Sequence, residues 1–347
     1  MSLIERIKDE TQPPIVVAEL SGNHRQDFDV AKNVIHKAAQ VGADAIKLQT
    51  YTANSLTLDC KSEEFVVQDG LWKGQSLYEL YTKASTPYEW HKPLKDLADD
   101  LGITLFSTPF DEAAVDFLEN EIDPQLYKIS SFEITHIPLL ERVAETGKPV
   151  VLSTGMATES EIDEAIKTLR TNGSSDVVLL KCVSAYPSNP NDFNLKSMLT
   201  LQERFSCPVG LSDHCLTNEI AIAATALGAR LIEKHVTDDR DKGGVDAKFS
   251  LETAELRDLV QKTRTTHAAL GKSELGTVKQ DEEQKKYRRS IYVAKAIKQG
   301  KPFTKENIKI IRPSDGLAPK HWKTVLNKTA RRDLEMGNPL SKEDIES

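Results

Sequence analysis

The sequence is poor in sulfur and aromatic residues, and it has no long apolar run. It holds four cysteines, four methionines and 6% aromatics in 347 residues. No apolar stretch approaches the ~20 residues a membrane helix requires, so a membrane partner is not expected. The opening ten residues, MSLIERIKDE, are too charged for a secretory signal. Cys60, Cys182, Cys207 and Cys215 show no C-x-x-C spacing. They read as reduced thiols in a cytoplasmic protein rather than as a disulfide framework. An excess of positive charge is also missing: the formal net charge is −8, and nucleic-acid binding is not expected. No glycine-rich phosphate loop follows the first apolar run. The Gly271-Lys272-Ser273 triplet resembles the end of a P-loop, but Thr266 stands where that motif's first glycine would be.

The chain does contain a succession of short runs rich in Val, Ile and Leu, at 15–20, 45–50, 104–110, 126–130, 149–155, 177–184, 209–214 and 231–236. Their apolarity is nearly continuous, as in parallel strands buried on both faces. Amphipathic helical patterns separate them, at 28–40, 88–101, 112–120, 136–146, 194–205, 216–228 and 251–269. In a further one, Ile162, Ala165, Ile166 and Leu169 share a face, and Thr158-x-x-Glu161 marks its start as a capping box. This alternation predicts a (β/α)8 TIM barrel of the α/β class over residues 1–274. The connection at about 51–87 is unusually long, which suggests a functional loop or small elements of its own. Residues 275–289 are charged and read as a solvated linker. From 290 to 347 the pattern turns to alternating apolarity and tight turns, a small separate β-rich domain.

Catalytic groups of a barrel sit at the C-terminal ends of its strands. Those ends carry Glu19; Lys47 and Gln49; Ser107 and Thr108; Lys128, Ser130 and Ser131; Ser153 and Thr154; Lys181 and Ser184; Ser212, Asp213 and His214; Glu233, Lys234 and His235. The lysines could simply pair with Glu19 and Glu233. Several lysines with flanking hydroxyls on one rim point further, to a site for a phosphate or carboxylate anion. A Schiff-base lysine, Lys128 or Lys181, is a third reading. His214 and His235 end consecutive strands, so both imidazoles should project from one rim. Two neutral imidazoles there could hold a divalent metal and leave positions open for water and substrate. No third His or Cys has the spacing of a structural zinc site. Asp246 follows Gly243-Gly244-Val245, where glycine permits close approach to a ligand. Phe110, Phe132, Ile134, Tyr186 and Phe249 could line a pocket. Trp72, Trp90 and Trp322 carry no readable signal.

Read together, VAELSGNH (17–24), KLQT (47–50), STPF (107–110), YKISSFEIT (127–135), LSTGM (152–156), SAYP (184–187), GLSDH (210–214) and EKH (233–235) closely resemble the sialic acid synthase family. Residues 290–347, with IRPSDGL at 311–317, resemble that family's C-terminal antifreeze-like (SAF) domain. SSFEIT (130–135) and GGVDAKFS (243–250) look most like its pseudaminic acid branch. Two departures stand out: the family's usual Asn-His-Asn-Gly is Asn23-His24-Arg25-Gln26, and Val245 replaces the branch's usual proline.

The resemblance implies condensation of phosphoenolpyruvate with a 2,4-diacetamido-2,4,6-trideoxy amino-sugar aldehyde, giving a nine-carbon 2-keto acid and phosphate. N-acetylneuraminate and legionaminate synthases are the nearest alternatives. It implies Mn2+ or Mg2+ on His214 and His235, which with Glu19 would be the catalytic groups. Lys47, Ser107, Thr108, Lys128, Ser131, Ser153 and Ser212 would bind phosphoenolpyruvate. Gln49, Tyr186 and Asp246 would face the sugar, joined by Arg312 of the partner subunit in a domain-swapped homodimer. The sugar's deoxy end should seek an apolar wall, for which Phe132, Ile134 and Phe249 are candidates.

Overall fold

Every one of the apolar runs is a strand in the computed structural model, which describes residues 1–276 and 278–346. Thr277, in the predicted linker, and Ser347, at the end of the predicted C-terminal domain, lie outside the described residues. The strands are β1 (Ile15–Glu19), β2 (Ala45–Thr50), β3 (Thr104–Pro109), β4 (Tyr127–Ile129), β5 (Val150–Ser153), β6 (Val177–Cys182), β7 (Val209–Asp213) and β8 (Leu231–His235). They pair in parallel in chain order, and β1 also pairs with β8, so the sheet closes on itself. The fold is a (β/α)8 barrel.

Strand alternation divides the apolar residues between two cores. Val16, Ala18, Ile46, Leu48, Leu179, Leu211 and Ile232 face outward and pack under the surrounding helices. Ile15, Val17, Ala45, Phe106, Leu126, Val151, Val178, Leu180 and Leu231 face inward and fill the barrel. A first helix, α1 (Leu3–Lys8), adds Leu3 and Ile7 to this inner core and so plugs the N-terminal end of the barrel. Arg230, just ahead of β8, holds the plug. Its guanidinium donates to the carbonyls of Arg6, Ile7, Asp9 and Gln12, the groups that a helix C-terminus leaves without partners.

The outer helices form where the apolar stripes predict them, and their starts are chemically marked. Asp27 caps α2 (Phe28–Gln40) by accepting from the amides of Asp29 and Val30. Thr158 and Glu161 form the predicted capping box of the helix Glu159–Thr171. The long second connection is neither bare loop nor disordered. It contains α3 (Ala53–Leu56) and α4 (Leu77–Ala84), with a hairpin-like turn between them closed by a Val66–Ser76 bridge. α5 (Tyr88–Asp100) follows.

By internal contacts the chain divides into Met1–Gly271 and Lys272–Ser347. The second unit holds the predicted linker, in which a short helix, Lys279–Gln284, forms. Its sheet is β9 (Ser290–Val293) against β10 (Ile308–Ile311), antiparallel. Ile291, Val293, Phe303, Ile308, Val325 and Leu340 make its core. Among the described residues no helix is long and apolar enough to cross a membrane.

Candidate active site

Inward-facing residues near the C-terminal strand ends are joined in one buried polar network. Lys47 on β2 lies 2.6 Å from Glu19 on β1 and 3.8 Å from Glu233 on β8. It also donates to Thr108 of β3 at 3.0 Å. Gln49 donates to the other oxygen of Glu19 at 3.0 Å. Glu233 accepts from Ser212 of β7 at 3.0 Å and lies 4.0 Å from Lys128 of β4. Lys128 donates to Ser153 of β5 at 2.7 Å and to the Ile129 carbonyl at 3.0 Å. Ser131 accepts the Gly155 amide, and a Cβ on Gly155 would sit 2.7 Å from the Ser131 hydroxyl, so only glycine fits there.

Burial sets the protonation of these groups, with their neighbours as the counterweight. Burial raises the Glu19 pKa more than Lys47 lowers it. Burial acts to lower Lys47, yet Glu19 and Glu233 outweigh it and hold the ammonium above its ordinary value. For Lys128, burial wins and its pKa falls. Burial opposes ionisation of Glu233, but Lys128 and Lys47 hold its pKa below the usual value. The site thus has one tightly paired lysine and one loosely paired lysine.

The two strand-end histidines meet as expected, with ring centroids 5.2 Å apart. The Nδ1 of His214 is 3.0 Å from the Val183 carbonyl, and the ring also meets the Cys182 thiol, which with that carbonyl raises its pKa against the effect of burial. The Nδ1 of His235 is buried without a hydrogen-bond partner, 3.6 Å from Asp246. Burial and the nearby cations push the His235 pKa well down, so the ring is neutral. A neutral imidazole with an orphaned nitrogen beside a second imidazole fits a divalent cation. Among the described residues no group of three or more His, Cys, Asp or Glu is placed to hold a metal ion.

Above the histidines lies a cavity of about 380 Å³. Gln49, Ser130, Glu133, His235 and Asp246 line its polar side. Asp246 accepts from the Ser21 hydroxyl, and burial raises its pKa. Tyr186 stacks on His214 at 4.5 Å between centroids and also lines the cavity.

Some predicted residues lie elsewhere. Ser107 faces the helices: its hydroxyl bonds Thr50 at 2.6 Å, which in turn bonds His91 of α5 at 2.8 Å. Ile134 is packed in the outer core, and Phe249 lies buried behind the rings of His235 and Tyr186. Neither lines the cavity; Phe110 and Phe132 do. Lys181 shares the outward side of Leu179, and Cys182 takes the inward place. Lys234 faces outward too, paired with Asp213 at 2.7 Å and donating to the Cys215 and Thr217 carbonyls. Arg312 is exposed in the second unit.

Two residues were overlooked. Cys182 lies buried on the inner face; burial acts to raise its pKa, and His214, Ser131 and Lys128 outweigh it and lower it. Counting alternate positions back from the end of β6 would have found it. Trp72 lines the cavity from the long second connection, donating its Nε1–H to the Val245 carbonyl at 2.9 Å. No spacing in the sequence announces that contact.

The departures at 25, 26 and 245 also find places. Arg25 forms a two-pronged pair with Asp238, at 2.7 and 3.1 Å. Gln26 donates to the carbonyls of Thr82, Lys83 and Ser85 at the end of α4. A Cβ on Gly22 would sit 2.9 Å from Ala84 and 3.1 Å from Val245, so the loops after β1, β2 and β8 converge on that glycine.

Residues 34–275 match the NeuB family and residues 288–346 match the SAF domain. The chain belongs to the NeuB family. It is 44% identical to a pseudaminic acid synthase of Helicobacter pylori, over 96% of this chain and 98% of that protein. A pseudaminic acid synthase of Campylobacter jejuni is 42% identical over 95% of this chain and 96% of its own length. Among solved structures, an N-acetylneuraminic acid synthetase from Leptospira borgpetersenii in complex with citrate superposes with a TM-score of 0.71 at 34% identity, covering 79% of this chain and 90% of that one. Both NeuB-family relatives extend through the SAF domain.

Proposed function

We propose that this NeuB-family protein is a pseudaminic acid synthase, a transferase that condenses phosphoenolpyruvate with 2,4-diacetamido-2,4,6-trideoxy-L-altrose. The observation that carries the reading is the buried network of Lys47, Lys128, Thr108, Ser153 and Ser212 on the same strand ends as the His214–His235 pair. C3 of phosphoenolpyruvate bonds to the aldehyde carbon, whose oxygen takes a proton. Water adds at C2 and loses a proton, and the C2–O bond to phosphate breaks. The products are a nine-carbon 2-keto acid and phosphate.

The residues divide this work by position. Lys47 and Lys128, with Thr108, Ser131, Ser153 and Ser212, hold the phosphate and carboxylate. The loosely paired Lys128 is the donor most free to turn toward an incoming anion. Glu19, whose pKa is raised by burial, carries the proton to or from the sugar oxygen, with Gln49 orienting it. Tyr186 and Asp246 position the sugar in the cavity. His214 and His235 would hold Mn2+ or Mg2+, which as a Lewis acid would polarise the aldehyde. Ser107 turns its hydroxyl to Thr50 on the outer face and supports the strand from behind.

Arg312 of the partner subunit completes the sugar site in a domain-swapped homodimer. Arg312→Ala should raise the sugar KM strongly and move the phosphoenolpyruvate KM little; equal effects on both would remove it from the sugar site. The test of the reading as a whole is a product assay with phosphoenolpyruvate and each candidate sugar. Turnover of N-acetylmannosamine alone would replace it by an N-acetylneuraminate synthase. Trapping by borohydride with pyruvate would replace it by a Schiff-base aldolase.

A further inference from the structure

We propose that the hairpin-like turn carrying Trp72 and Val67 is the wall that reads the deoxygenated end of the sugar, and that it sets specificity for a 6-deoxy substrate. The inference rests on the synthase reading above and concerns the same cavity.

The cavity has two unlike sides. Its polar side comes from strand ends and their loops, where His235 and Gln49 fix the reacting end of a substrate. Its other side comes from the connection between β2 and α5, through Leu56, Val67, Trp72, Leu77 and Leu80. An aldehyde placed at the histidines therefore directs the far end of the carbon chain toward that second side. Two ring-to-ring steps, His214 to Tyr186 at 4.5 Å and Tyr186 to Trp72 at 5.8 Å, span the distance.

Trp72 is presented there as hydrocarbon. Its single donor is already engaged by the Val245 carbonyl, so the indole has no proton to offer a hydroxyl. The turn that carries it is itself well determined. Val67 donates to the Gln75 carbonyl, Gly74 donates to the Val67 carbonyl, and Gln75 donates to the Trp72 carbonyl, at 2.8–3.0 Å. A methyl group gains by burial against such a wall, whereas a hydroxymethyl group loses a water partner and finds none. Of the three candidates for an apolar wall, Phe132 lines the cavity but is more than half exposed, while Ile134 and Phe249 are withdrawn from it.

The test compares kcat/KM for 2,4-diacetamido-2,4,6-trideoxy-L-altrose and for its 6-hydroxy analogue. The unaltered protein should prefer the deoxy sugar by about 10- to 100-fold, the range an apolar pocket achieves against an added hydroxyl. Trp72→Ala should shrink that ratio toward one while the phosphoenolpyruvate KM stays within about twofold. Val67→Thr adds a hydroxyl at nearly constant volume, and should shrink the ratio by raising turnover of the 6-hydroxy sugar. A ratio that neither variant changes would overturn the inference and leave the synthase reading standing. If Trp72→Ala does not fold, Val67→Thr alone decides. Turnover of neither sugar by the unaltered protein would sink the synthase reading, and this inference with it.

Discussion

Buried lysines and histidines lie against both faces of the barrel sheet, and the two faces treat them differently. On the outer face, Lys234 has a carboxylate and two carbonyls, and His91 beneath the strands has a partner on each nitrogen, Thr50 and the Pro87 carbonyl. On the inner face, Lys128 has one hydroxyl, one carbonyl and a carboxylate only at 4.0 Å, and the Nδ1 of His235 has no partner. Burial alone therefore does not distinguish a structural group from a working one. Incomplete hydrogen bonding marks Lys128 and His235 but not the tightly paired Lys47; an unpaired buried donor or acceptor is costly unless something arrives to pair with it.

The largest effect that could break this contrast is on stability. Lys234→Met leaves the buried Asp213 carboxylate without its cation, and should cost about 3–5 kcal/mol in denaturant unfolding. Lys128→Met should cost clearly less stability than Lys234→Met and lower kcat/KM by about 10²–10³-fold, the scale of losing one preorganised donor. Equal destabilisation by the two variants would erase the distinction between the faces. Next in size is the metal. Mn2+ at about 100 times its Kd should stabilise the protein by about 2.7 kcal/mol and raise its melting temperature. His235→Ala should abolish that rise, while His91→Asn should keep it. EDTA should stop phosphate release and Mn2+ should restore it.

The smallest effect expected is the pH response of the outer face. Burial pushes the His91 pKa down to about 4. The unfolded chain, with its histidine near 6.5, then binds the proton first as pH falls. His91 thus contributes full stability above about pH 6.5 and loses it progressively below, about 2 kcal/mol by pH 5. His91→Asn should flatten unfolding free energy between pH 7 and 5. An unchanged slope would mean that His91 is not the neutral, fully paired group that its geometry describes.

The barrel was legible because its strands are almost uninterrupted apolar runs and its helices carry single stripes. β1, β2 and β6 begin where the runs begin, and the Thr158–Glu161 box forms as its spacing predicts. The site was legible wherever a functional residue stands at a strand end. Which side of the strand it occupies was less so. Ser107 and Lys181 are one position out of phase with the inner rim, while Thr108 and Cys182 are in phase; strict two-residue alternation separates them. Trp72 could not be read at all. It reaches the cavity through a contact with Val245, far along the chain, and that meeting depends on the closed barrel rather than on any local pattern.

The guanidinium that seals the N-terminal plug has a consequence for how the protein is made. Arg230 binds carbonyls of residues 6, 7, 9 and 12, and β1 completes the barrel only by pairing with β8. β1 can pair with β2 soon after it is made, but the contacts of α1 with Arg230 and the β1–β8 seam must wait until more than two hundred further residues have been translated. Such sequence-distant pairing is slow, and chains in this interval keep apolar surface uncovered. The α1 plug and the β1–β8 seam are thus among the last contacts of the barrel to form.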